Sequence, residues 1–134
     1  MKRDPLKIQS HVILGILILQ YLLGMAANLF VQYPDTNKEK ILWEFAKSQW
    51  TVVTHMVLGF LLLIGGIVLL FRAIRRKDKN WIIAGSVGLF AILSAVGAGV
   101  EFIPTQQDAY SYIMAAAFIL AVLAYGWGIY KAKK

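Results

Sequence analysis

The chain has 134 residues, 14 Lys+Arg against 7 Asp+Glu, no Cys, and hydrophobic residues making up 59% of the total. This length fits one domain, residues 1–134, and the apolar share exceeds the roughly 45–50% of soluble proteins, which excludes a water-soluble enzyme. The lack of cysteine excludes disulfides, iron–sulfur clusters, thiolate zinc sites and Cys-based redox chemistry.

Four apolar runs, at about residues 11–31, 50–71, 81–102 and 110–130, are each long enough to cross a hydrocarbon core of about 30 Å. They lack the alternation of barrel strands, so each is expected to be a helix. Short connections predict an all-α fold: an integral membrane four-helix antiparallel bundle.

The first run follows the basic stretch of residues 1–7, and Gly24, Met25 and Ala26 resemble a signal-peptidase site. The run continues through Leu29 to Val31, longer than the ~7–15-residue core of a signal peptide. The first span is therefore expected to be retained. His11 opens this span, and Gln20 and Asn28 lie within it.

The connection at residues 33–49 is the longest. Pro34 ends the first span, and Thr36 with Glu39 has capping-box spacing. Ile41, Leu42, Phe45 and Ala46 recur on one helical face among Lys38, Lys40, Glu44 and Lys47. This predicts a short amphipathic surface helix at about residues 37–48, either an interfacial anchor or a lid over a site between the spans.

Lys2, Arg3 and Lys7, then Arg72, Arg75, Arg76, Lys77 and Lys79, then Lys131, Lys133 and Lys134 all fall on one side of such a bundle. Only Lys38, Lys40 and Lys47 fall on the other, with Asp35, Glu39, Glu44, Glu101 and Asp108. The positive-inside rule then places both termini in the cytoplasm and the protein in the cell membrane as a multi-pass chain. The net charge of +7 is thereby a topology signal and a match to anionic headgroups, with no need of nucleic acid as a partner.

A constant offset pairs Gly15 with Gly88, Gly24 with Gly97, and Asn28 with Glu101. A fainter one pairs the second span with the fourth. The chain therefore reads as two repeated two-helix units. The many glycines let helices approach closely, and they also make room for a flat cofactor against a helix. Sequence alone does not separate these two roles.

Polar groups in hydrocarbon are costly, so each is a candidate site residue. His55, near the outer end of the second span, is the most informative. A neutral imidazole there ligates heme iron through one nitrogen while the other donates to an acceptor, or else serves a structural or proton-handling role. His11 cannot join it, because about seventeen helical residues separate their layers by roughly 25 Å. Glu101, Asn28 and His55 are expected in one outer layer, where a carboxylate could fix the imidazole tautomer or accept a proton from a quinol. Trp43, Trp50, Tyr33, Tyr110 and Tyr112 form the aromatic belt.

Leu19, Gln20, Tyr21, Leu22, Leu23 and Gly24, then the outer loop with its short helix, then His55, Met56, Val57, Leu58, Gly59 and Phe60 carry a family pattern. The chain resembles one four-helix half of the heme A synthase family, in which a Q-x-x-L-G segment precedes an H-x-x-x-G/A start on the next helix. The resemblance implies heme ligation by histidines at the outer ends of the even helices. Only His55 carries over. At the equivalent place in the fourth span stand Tyr112 or Ile113, so Tyr112 or Met114 would supply the sixth ligand, or that face of the iron would be open.

The expected function is a heme b-binding electron-transfer protein, with His55 as the metal ligand and a quinone as a possible partner. Gln20, Asn28 and Glu101 would serve as hydrogen-bond or proton partners. A second reading is a non-catalytic accessory or assembly subunit of a larger respiratory membrane complex, its glycine faces meeting a membrane-protein partner or a second copy. A transporter or channel is disfavoured, because intramembrane charge is nearly limited to Glu101 and no broken helix marks an ion site.

Overall fold

The computed structural model describes residues 4–132. Lys2, Arg3, Lys133 and Lys134, part of the charge pattern above, lie outside the described residues. The order is α1 (Pro5–Phe30), α2 (Glu39–Ser48), α3 (Trp50–Arg75), α4 (Lys79–Thr105) and α5 (Asp108–Lys131), with no strand among the described residues. All but α2 are long and apolar enough to cross a membrane, which fits a multi-pass membrane protein in a lipid bilayer.

The helices overrun the apolar stretches that mark them, because helical hydrogen bonding continues into the polar headgroup layer. Asp4 caps α1 by accepting from Leu6 N, with Pro5 at the first helical position, where its missing N–H is no loss. Asp78 caps α4, accepting from Asn80 N and Trp81 N. Pro104 lies inside the last turn of α4 rather than beyond its end. There Gln106, at φ 51°, closes the helix: its backbone N–H donates to Phe102 O, and its amide donates to Phe102 O and Ile103 O. The expected capping box does not form. Lys38, not Thr36, precedes α2, and the Thr36 hydroxyl instead accepts from Lys38 N at 3.3 Å.

α1 packs on α3, α3 on α4, α4 on α5, and α5 back on α1, so the long helices close a ring with α1 facing α4 and α3 facing α5 diagonally. At one end the first turns of α1 grip the end of α3. Arg76 pairs with Asp4, Arg72 Nη1 donates to Gln9 Oε1 at 2.9 Å, and Gln9 Nε2 donates to Gly65 O at 2.9 Å. His11 sits at this same end, exposed, with Nδ1 2.6 Å from Lys7 O. The core of this half is tight. Tyr125 is fully buried against Gly66 and Gly88, and Trp81 is buried against Gly128. In lipid such close approach is the main attraction between helices, since burial of apolar surface from water no longer contributes.

At the other end α2 lies across α3 and α4. Its apolar face inserts Leu42 and Ala46, both fully or nearly buried, beside Val52 and Ile103, while Lys40, Glu44 and Lys47 face outward. Tyr33 makes edge contacts with Phe45 and Phe102 and so ties this cap to α4.

Lys77, between α3 and α4, has φ 54°, with its N–H donating to Ile74 O and the next N–H to Ala73 O. A β-carbon is disfavoured in this left-handed turn. Lys77→Gly is expected to stabilise the protein by about 0.5–1 kcal/mol, seen as a higher thermal midpoint in detergent.

Candidate functional site

Two four-residue spacings build the site. Gln20 and Gly24 are one turn apart on α1, and His55 and Gly59 are one turn apart on α3. The two helices use them reciprocally. A Cβ at Gly24 would lie 2.9 Å from His55 Cε1, and a Cβ at Gly59 would lie 3.1 Å from Gln20 Nε2. Each large polar side chain thus occupies the gap left by the other helix's glycine. This gives a physical reason for a glycine four residues after both the Gln and the His.

The His55 ring is oriented by the same contact. Its Nδ1 lies 3.1 Å from Gln20 O. A carbonyl can only accept, so Nδ1 carries the hydrogen, and the neutral ring keeps a lone pair on Nε2. A metal-ligating histidine is held in this way, its second nitrogen donating to a carbonyl. Gln20 Oε1 is buried, with no hydrogen-bond partner among the described residues. The site therefore holds an imidazole with a lone pair on Nε2 beside a buried, unpartnered amide oxygen, in largely apolar surroundings.

These groups line a cavity of about 590 Å³ between the four long helices, in the half of the bundle covered by α2. Ala95, Gly99 and Ala115 line one side of it where Trp81 and Tyr125 fill the opposite half, and Gly24 and Gly59 border the other side with their own space taken up by His55 and Gln20. Leu17, Leu62 and Ala121 form its inner boundary with the packed core. Trp43 of α2 and Tyr33 line the end of the cavity nearest α2. Tyr21 stacks on Phe118 at 4.6 Å and bridges α1 and α5 beside the cavity. The size and apolar lining suit a single organic ligand.

Of the residues singled out in the sequence, His55, Gln20, Asn28 and Met114 line this cavity together. Tyr112 does not. It is 77% exposed on the outside of α5, two residues and about 200° of helical rotation from Met114, so the two cannot face the same space. Glu101 is exposed and off the cavity, between Val100 and Phe102, which do line it. The paired glycines of the suggested repeat differ in surroundings: Gly24 and Gly88 meet His55 and Tyr125, whereas Gly97 and Gly15 have open space. Sequence reasoning missed Gly59, Gly99 and Trp43 of α2 as parts of the site. The H-x-x-x-G spacing was the available signal for Gly59.

A second, polar cavity of about 510 Å³ adjoins the first and shares Ala27, Asn28, Tyr33 and Phe102 with it. It is bounded by the 34–37 stretch and by Thr105, Gln106 and Asp108. Tyr33 lies outside the spans, and burial pushes its phenol above the ordinary 10.0, so it stays neutral at the junction. Among the described residues no three His, Cys, Asp or Glu gather to hold a bare metal ion. Heme supplies its own equatorial nitrogens and needs only an axial side chain.

Gly24→Val is expected to drive the imidazole from its seat, since the 2.9 Å approach already leaves no room for a Cβ. The variant should therefore lose the His55–Gln20 contact while keeping its helix content, as checked by the imidazole resonances and circular dichroism.

No family model matches the chain, and neither a curated protein nor a solved structure matches it.

Proposed function

We propose that the protein binds one heme b in the outer half of a membrane-spanning antiparallel bundle, with His55 as an axial ligand, and carries electrons within the membrane. One observation carries this reading: an imidazole whose Nδ1 is tied to Gln20 O borders a cavity of about 590 Å³ lined mainly by aliphatic, aromatic and small apolar residues. Bound heme would supply one-electron transfer there. His55 would hold the iron through Nε2, with the Gln20 carbonyl fixing the ring. The apolar walls would exclude water. Asn28 and Tyr33 line both cavities and would be polar neighbours for a bound heme at the α2 end. The amide of Gln20 offers an acceptor that a quinol hydroxyl would fit, which keeps a quinone as a possible partner.

The orientation is part of the same proposal. Lys7, Arg72, Arg75, Arg76, Lys77 and Lys79 stand at the end away from α2, and their positive charge supports cytoplasmic termini in the cell membrane. The two-unit repeat is supported by the sequence spacing.

Hemin titrated into the detergent-solubilised protein tests the reading. Saturation at one equivalent, with a Soret band distinct from hemin in empty micelles, is expected. Spectra identical to those of empty micelles at every ratio would contradict it.

A further inference from the structure

The pairing of His55 with Gly24 has a counterpart on the opposite side of the cavity. A Cβ at Gly99 of α4 would lie 3.5 Å from Met114 Sδ of α5. So in each helix pair a side chain with a metal-binding atom rests against a glycine of its neighbour: His55 on Gly24 in α1–α3, and Met114 on Gly99 in α4–α5. α3 and α5 occupy opposite corners of the ring, and both side chains line the same cavity. Along the α4 and α5 walls the lining is otherwise alanine, glycine and hydrocarbon side chains, with Ser111 the one other heteroatom-bearing side chain. Met25 and Met56 also line the cavity, but Met56 adjoins His55 on α3 and Met25 lies on α1, which packs directly on α3. Neither stands opposite His55.

We infer that the Met114 thioether is the second axial donor to the heme held by His55, so that the iron is clasped between α3 and α5 by a His/Met pair. This rests on the heme reading above. Thioether sulfur is a soft donor that favours reduced iron and raises the reduction potential relative to a second imidazole. At 3.5 Å the Met114 thioether makes an ordinary van der Waals contact with Gly99, looser than that of the imidazole on Gly24, and this contact sets it at the cavity wall.

Met114→Leu tests the assignment, because it keeps side-chain volume while removing the sulfur lone pair. With the full chain loaded with heme, the expected result is loss of the six-coordinate low-spin spectrum, prompt carbon monoxide binding by the reduced form, and a lower reduction potential. Met114→His should restore a low-spin spectrum at a potential below that of the unaltered protein. Tyr112→Phe should change none of these. A Met114→Leu protein with the unaltered spectrum, potential and carbon monoxide behaviour would overturn the assignment, and if His55→Ala still abolished heme binding, the heme reading itself would stand. Failure of the unaltered chain to take up heme would overturn both.

Discussion

Replacing His55 with alanine is expected to abolish the Soret absorbance of the heme-loaded protein, leaving helix content intact. In the proposed reading the ring would contribute the axial nitrogen; it is only partly buried, at the margin of a cavity rather than in the packed core around Tyr125 and Trp81. Its removal enlarges a space that is already open, so the stability cost should be below the 2–5 kcal/mol typical of deleting a large core side chain. Free imidazole added to His55→Gly should restore part of the absorbance, because the vacated space borders Gly24 and the Gln20 carbonyl that would orient it. A His55→Ala protein that bound heme with the same affinity and spectrum would show that the ring is structural.

The largest stability effect is expected at Gly88. A Cβ there would lie 2.5 Å from Tyr125 Cζ and 2.7 Å from Cε2, well inside van der Waals contact, and the ring cannot retreat because Gly66 and Ile92 close its other sides. Gly88→Ala should therefore cost about 1–3 kcal/mol, and Gly88→Val more. The internal control is Gly97→Ala or Gly126→Ala. Both positions have nothing within 4 Å of an added Cβ, so better helix propensity should make these variants neutral or up to about 1 kcal/mol more stable. Thermal midpoints in one detergent compare the set. The Tyr125 hydroxyl is buried without a partner among the described residues, and Tyr125→Phe, which removes that polar atom, should not destabilise.

The four long helices were legible because a run of about 20 apolar residues has few alternatives in a chain of this composition. Their ends were less so. Asp4 and Asp78 cap helices that start in polar sequence, and Pro104 is tolerated in a last turn where Gln106 takes over the free carbonyls. Thr36 misled because its hydroxyl serves a turn before α2 rather than the helix itself.

At the site, His55 and Gln20 stood out as polar residues in hydrocarbon, but their contact is to a backbone carbonyl, which every residue has and no sequence pattern marks. The choice between Tyr112 and Met114 depended on helical phase. A register uncertain by one or two residues turns the side chain through 100–200°, enough to move it from cavity to lipid. The roles of the glycines are separated only by the packing: Gly88 and Gly128 admit Tyr125 and Trp81, Gly24 and Gly59 admit His55 and Gln20 respectively across α1 and α3, and Gly99 lines the cavity.

The central claim is that the outer half of this bundle is built around a heme. The most direct test is the reduced-minus-oxidised spectrum of the protein purified from membranes of cells with ample heme supply, with heme and protein quantified on the same sample. The account predicts a b-type difference spectrum at about one heme per chain. A protein that is folded, helical and colourless under those conditions would contradict it.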